Sequence, residues 1–125
     1  MSCTGDPIKR TRGDDWVASI NNAITGVLST TSGPVDLTGC TLAAQMRADS
    51  EDVSVALELT ASLGDDPNLG EIVMEAVRAD TADLDPCEYD VDIEVTFPGG
   101  EHLTYRPVDT DGNRIKILVE ADVTR

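Results

Sequence analysis

The sequence predicts an all-β domain, a two-layer antiparallel sandwich, on three observations. Residues 88–97 alternate polar and apolar side chains without a break, the period of a strand with one buried face. Turn-forming clusters of Gly, Pro, Asn and Asp recur at roughly the 8–12-residue spacing of sandwich folds. No segment sustains a helical apolar stripe long enough to compete with the strands.

The alternating stretch is the spine of the prediction. Tyr89, Val91, Ile93, Val95 and Phe97 share one face, and Glu88, Asp90, Asp92, Glu94 and Thr96 the other. Phe97-Pro98-Gly99-Gly100 reads as a type II turn, with proline presetting φ and Gly99 taking the positive φ. The chain then returns with Leu103 and Tyr105 on the buried parity, completing a hairpin.

From the start of the chain, residues 1–7 are small and polar and read as a flexible arm ahead of a single sandwich domain over residues 8–125. Ile8–Arg12 suits a short edge strand whose basic residues discourage stray pairing. Trp16–Thr31 reads either as a helix capped by Asp14 or Asp15 or as two short strands. Asn21, Asn22, Gly26 and the strand formers of Val27–Thr31 favour the strands. Thr31–Pro34 is a turn. Strands are predicted over Thr41–Arg47, from Val55 through Thr60, and over Glu71–Val77. Asp49–Asp52 and Ser62–Gly70 connect them. Arg78–Pro86 suits a single helical turn that returns Leu84 to the core. Asp109–Asn113 is a further turn, and the last strand carries Ile115, Ile117 and Val119 inward. The total is about 7–8 strands with one short helical turn, an immunoglobulin-like arrangement.

With 125 residues, the chain is long enough to bury roughly two thirds of its unfolded surface. Only 3% of it is aromatic, so the core is expected to be Val, Leu, Ile, Ala and Met. A formal charge of −15 repels nucleic acid phosphates and anionic membranes, so neither is expected as a partner. Cys3, Cys40 and Cys87 are odd in number and widely spaced, which fits neither a zinc cage nor a disulfide framework. No apolar run approaches a signal sequence or a membrane helix, pointing to folding in a reducing cytoplasm.

Candidate chemistries are sparse. The one histidine, His102, lies on the outward parity beside a glycine turn, and no serine occupies a nucleophile elbow to form a triad with it. Acidic residues are so numerous that no carboxylate pair stands out. Asp109-Thr110-Asp111-Gly112-Asn113 resembles the middle of an EF-hand loop. With Gly112 at the sixth position, however, Pro107 and Leu118 fall at the first and twelfth, and neither binds calcium. No phosphate-binding or dinucleotide fingerprint occurs. No catalytic, cofactor-binding or metal-ligating residue is therefore assigned, and no enzymatic activity is expected. Arg12-Gly13-Asp14 matches an adhesion tripeptide, a length at which chance matches are common.

The order of motifs carries more. Arg12-Gly13-Asp14-Asp15-Trp16 is followed by Gly33-Pro34-Val35-Asp36-Leu37-Thr38-Gly39 and by Gln45-Met46-Arg47. Thr81-Ala82-Asp83-Leu84-Asp85-Pro86 then precedes Glu88-Tyr89-Asp90-Val91-Asp92-Ile93, and Asp122-Val123-Thr124-Arg125 closes the chain. This series resembles the small immunoglobulin-like tail and baseplate proteins of tailed bacteriophages, similar to the N-terminal domain of the baseplate upper protein. Cys87 stands where that pattern has glycine. The resemblance implies a virion structural protein, assembled in the host bacterial cytoplasm. It would act as a tail or baseplate adaptor that docks on a symmetric ring or anchors a receptor-binding component. Its partners would be other virion proteins and copies of itself. A capsid decoration or head-fibre anchor is an alternative on the same fold, and a carbohydrate-binding or adhesion module is another. If the first and last strands are neighbours, Arg10, Arg12, Arg114, Lys116 and Arg125 form a basic strip on an acidic body, a candidate interface. Ordinary surface charge is the competing explanation.

Overall fold

The alternation at residues 88–97 becomes β8, Glu88–Thr96, in the computed structural model, which describes residues 8–48, 55–108 and 114–121. Tyr89, Val91, Ile93 and Val95 are at most 3% exposed, as the strand period requires. Along one edge β8 pairs antiparallel with β5, Thr41–Arg47, from Thr41↔Thr96 to Arg47↔Asp90. Its other edge is shared. β10, Lys116–Glu120, occupies Glu88–Asp90, and β9, His102–Tyr105, occupies Ile93–Thr96. The last strand of the layer is thus divided in two, β9 and β10. β1, Ile8–Thr11, lies parallel to β10 and ends this layer.

The second layer is β2, Ile24–Val27, then β7, Glu71–Glu75, then β6, Leu57–Leu63. β6 belongs to both layers: Leu57 and Leu59 pair with β5, whereas Thr60–Leu63 pair with β7. The order β2-β7-β6 facing β5-β8-β10 is the strand arrangement of an immunoglobulin-like sandwich. A tyrosine corner accompanies it: Tyr89 Oη donates to the Asp85 carbonyl at 2.7 Å. Val27 bridges Val108, and Val108 bridges Arg114, so Val108 laces the seam and gives the sandwich a barrel-like closure.

The strands predicted for Trp16–Thr31 are β2 and β3, Ser29–Thr30, preceded by a 3-10 turn at Ala18–Ile20. That turn ends at Asn21, whose φ of 58° reverses the chain, so the asparagines that argued against a long helix are what stops it. β3 pairs with β4, Gly33–Pro34, in a small ribbon. The described residues hold ten strands, exceeding the predicted 7–8 because of this ribbon and the division of the last strand. α1, Arg78–Thr81, is the predicted helical turn, and it delivers Leu84 to the core at 4% exposure.

Three expectations need correction. The turn after β8 is not type II: the positive φ falls on Gly100, at 94°, and not on Gly99. Gly100 N–H donates to Phe97 O and Phe97 N–H to Glu101 O, both at 2.8 Å, a three-residue loop with a glycine bulge. Leu103, placed on the buried parity, is 54% exposed: β9 pairs with β8 alone, and among the described residues no further strand lies beyond it. Strand β6 begins at Leu57 and runs to Leu63, so Val55 precedes it and Ser62 lies within it. The arm at residues 1–7, the turns at Asp49–Asp52 and Asp109–Asn113, and the closing Asp122–Arg125 lie outside the described residues.

The core is aliphatic as expected, with Met46 and Met74 fully buried and Trp16 its one fully buried aromatic side chain. Trp16 exchanges backbone hydrogen bonds with Ala76 at 2.7 and 3.0 Å, and its indole Nε1 donates to the Thr11 carbonyl at 3.2 Å.

Candidate functional site

The predicted basic strip depends on β1 and β10 being neighbours, and they are. Their cations are differently employed. Arg10 shares the parity of Ile8 and turns towards the seam. There its Nε donates to the Asn22 carbonyl at 3.1 Å and its Nη2 to the Ala23 carbonyl at 2.8 Å. Nη1 donates to the Lys9 carbonyl at 2.8 Å. Partial burial lowers the guanidinium pKa from its ordinary value. Arg10 is therefore a strut from β1 to the chain entering β2, satisfying carbonyls that no strand reaches.

Lys116 Nζ stands 3.5 Å from Asp90 Oδ1 on the adjacent strand. Arg12 is half-buried and its backbone N–H donates to Glu120 O at 3.0 Å, extending the β1–β10 pairing. Arg114 is half-buried at the bridge to Val108, and Arg125 lies outside the described residues. The structure thus brings the first and last strands together but spends Arg10 and Lys116 within the chain.

The outer face of β5, β8, β9 and β10 carries a charge ladder. Asp92 lies between Arg47, at 3.8 Å, and Arg106, at 3.3 Å, and Arg47 Nη2 also donates to Gln45 Oε1 at 2.6 Å. The Asp90 and Asp92 side chains are only 12% and 17% exposed. Arg47 Nε, Asp90 Oδ1 and Asp92 Oδ1 are buried without an aligned hydrogen bond, so these contacts are Coulombic and loosely directed. The signal was present in the pairing Arg47↔Asp90↔Lys116, but it becomes legible only once the register is fixed.

The motif runs have structural employment. In the PVDLTG stretch, Asp36 Oδ1 accepts from the Thr38 N–H at 3.0 Å and from the Thr38 hydroxyl at 2.7 Å. These bonds lower the Asp36 pKa. The turn plugs Leu37 into the core with no exposure, and Gly39 follows at a φ of 78°. In the RGDDW stretch, Gly13 is buried at a φ of 82°, and Asp15 Oδ1 accepts from the Arg78 N–H at 2.7 Å, capping α1. An adhesion loop presents its tripeptide to solvent, whereas this one is fastened to the body of the domain.

His102 contacts the Thr96 hydroxyl at 2.9 Å on the surface. Burial, reinforced by Asp36, raises the pKa of the Cys40 thiol. A groove of about 510 Å³ at the seam is walled by Ile8, Thr25, Val27, Ile72 and Val108, with Asp65 and Glu71 its ionisable side chains. Among the described residues no three His, Cys, Asp or Glu side chains converge as a metal site would require, and no helix is long and apolar enough to cross a membrane. No protein-family model matches the sequence, and no curated protein matches it significantly.

Proposed function

We propose that the chain is a structural protein of a tailed bacteriophage virion, an adaptor of the tail or baseplate that docks on a symmetric ring or anchors a receptor-binding component. The observation that carries this reading is the ordered series of motifs from Arg12 to Arg125, which resembles the small immunoglobulin-like proteins of such tails. Physical properties support it. A sandwich with a short open strand edge offers docking by strand addition. A charge of −15 favours partners with basic surfaces over nucleic acid, and copies around a tail would follow its rotational symmetry. The sugar-binding alternative loses its platform, because Trp16 is wholly buried and has no face to offer a ring.

Antibody labelling of intact particles, viewed by electron microscopy, tests the proposal. Label at the tail or baseplate is the expected outcome. Label over the shell would transfer the role to capsid decoration, and absence of the chain from purified particles by mass spectrometry would overturn both.

A further inference from the structure

We propose that β9 is a self-pairing edge: two copies of this chain join antiparallel along His102–Tyr105, each Leu103 lying against the partner's Leu103 across a two-fold axis. The inference does not depend on where in a particle the chain resides, or on the virion reading at all.

The geometry follows from the hairpin. Phe97 and Glu101 form a hydrogen-bonded pair, and bonded and non-bonded pairs alternate along an antiparallel ladder. In the register Val95↔Leu103 and Ile93↔Tyr105, Leu103 and Tyr105 therefore bond to β8. The N–H and C=O groups of His102 and Thr104 point the other way, and among the described residues no strand receives them. A two-fold axis through Leu103 sets His102 opposite the partner's Thr104 and Thr104 opposite the partner's His102. Both pairs then exchange backbone hydrogen bonds. Leu103 meets its own image as the non-bonded pair between them, with Cα atoms about 4.5 Å apart.

Three further observations single out a second copy as the occupant. Leu103 has inner-face parity but is 54% exposed, so it presents apolar surface that its counterpart would cover. The chain as a whole carries −15, and copies repel each other except where carboxylates are missing; residues 102–106, HLTYR, contain none. The one strongly basic group there, Arg106, is already 3.3 Å from Asp92 of its own chain. Finally, apart from its shortness, β9 lacks among the described residues the usual protection of an exposed edge. No Lys, Pro or bulge falls within it, whereas the edge of β2 is occupied by Val108 and by the Arg10 strut.

Sedimentation equilibrium of the full chain, from about 1 μM to about 1 mM, reads the outcome directly. The mass is expected to rise from one chain towards two with concentration. Thr104→Pro removes an outward N–H without touching the ladder to β8, and is expected to hold the mass at one chain with an unchanged thermal midpoint. Should that variant unfold, Leu103→Lys sets like charges opposite each other at an exposed position, with the same expected loss. A single-chain mass throughout for the unsubstituted protein, or a dimer that persists in either folded variant, overturns the proposal.

Discussion

Thr81 holds Gly13 across 68 positions of sequence: its hydroxyl oxygen accepts the Gly13 N–H at 3.0 Å while donating to the Asp14 carbonyl at 2.9 Å. Thr81 is wholly buried, and its hydroxyl is satisfied by these two bonds. Together with the Asp15 cap on Arg78, it ties the helical turn after β7 to the loop after β1. Thr81→Val keeps the shape but orphans the buried Gly13 N–H and takes the partner from the Asp14 carbonyl, and is expected to cost about 1–3 kcal/mol in chemical denaturation. Thr81→Ser, which keeps the hydroxyl, is expected to retain most of that stability.

Trp16→Ala is expected to destabilise by about 3–5 kcal/mol, because a wholly buried indole leaves a cavity that an aliphatic core refills poorly. The denaturant midpoint should fall with little change in slope. A near-neutral midpoint would return Trp16 to the surface, as a stacking platform would require.

How far the sequence discloses this depends on the element. β5, β7, β8 and β10 were legible because each is half-buried, so the period of two is written into the side chains. The helical turn was legible for the opposite reason: RADTADLDP breaks that period and returns Leu84 to the interior. Leu103 misled because parity tells which face a residue shares, not how much of that face is covered at the edge of a sheet. The fate of Arg10 was not legible, since a strut to the Asn22 and Ala23 carbonyls exists only once the layers are stacked. The charge ladder was hidden likewise, its members being separated by tens of residues until the register aligns them.

Gly70→Ala should be among the most damaging single-methyl additions. Gly70 adopts a φ of 76°, and an added Cβ would collide with the Leu28 carbonyl oxygen, which is backbone and has no rotamer to yield. The chain there is further fixed by the Leu28 N–H donating to the Gly70 carbonyl at 2.8 Å. Positive-φ strain plus the displaced Leu28 backbone is expected to exceed about 3 kcal/mol, read as a lowered thermal midpoint or loss of soluble protein. Gly33→Ala, also at positive φ but with open space around it, is expected to cost about 1 kcal/mol, from backbone strain alone.

Tyr89 gives the fold a sensitivity at the alkaline end. Burial, first, and then the neighbouring Cys87 and Asp85, raise its phenol well above the ordinary value of 10.0. The folded state therefore holds this proton at a pH where the unfolded chain has released it. With more protons bound in the native state, stability falls as pH rises above about 10, and continues to fall up to the folded-state value. Tyr89→Phe removes both the titration and the hydrogen bond to the Asp85 carbonyl. At neutral pH the variant is expected to be less stable by about 1 kcal/mol. Above pH ~10 the difference should shrink and then change sign, because the variant no longer pays the cost of withholding a proton. Denaturant midpoints of both proteins from neutral pH upward check it. Parallel curves would mean that the corner phenol titrates like an ordinary tyrosine.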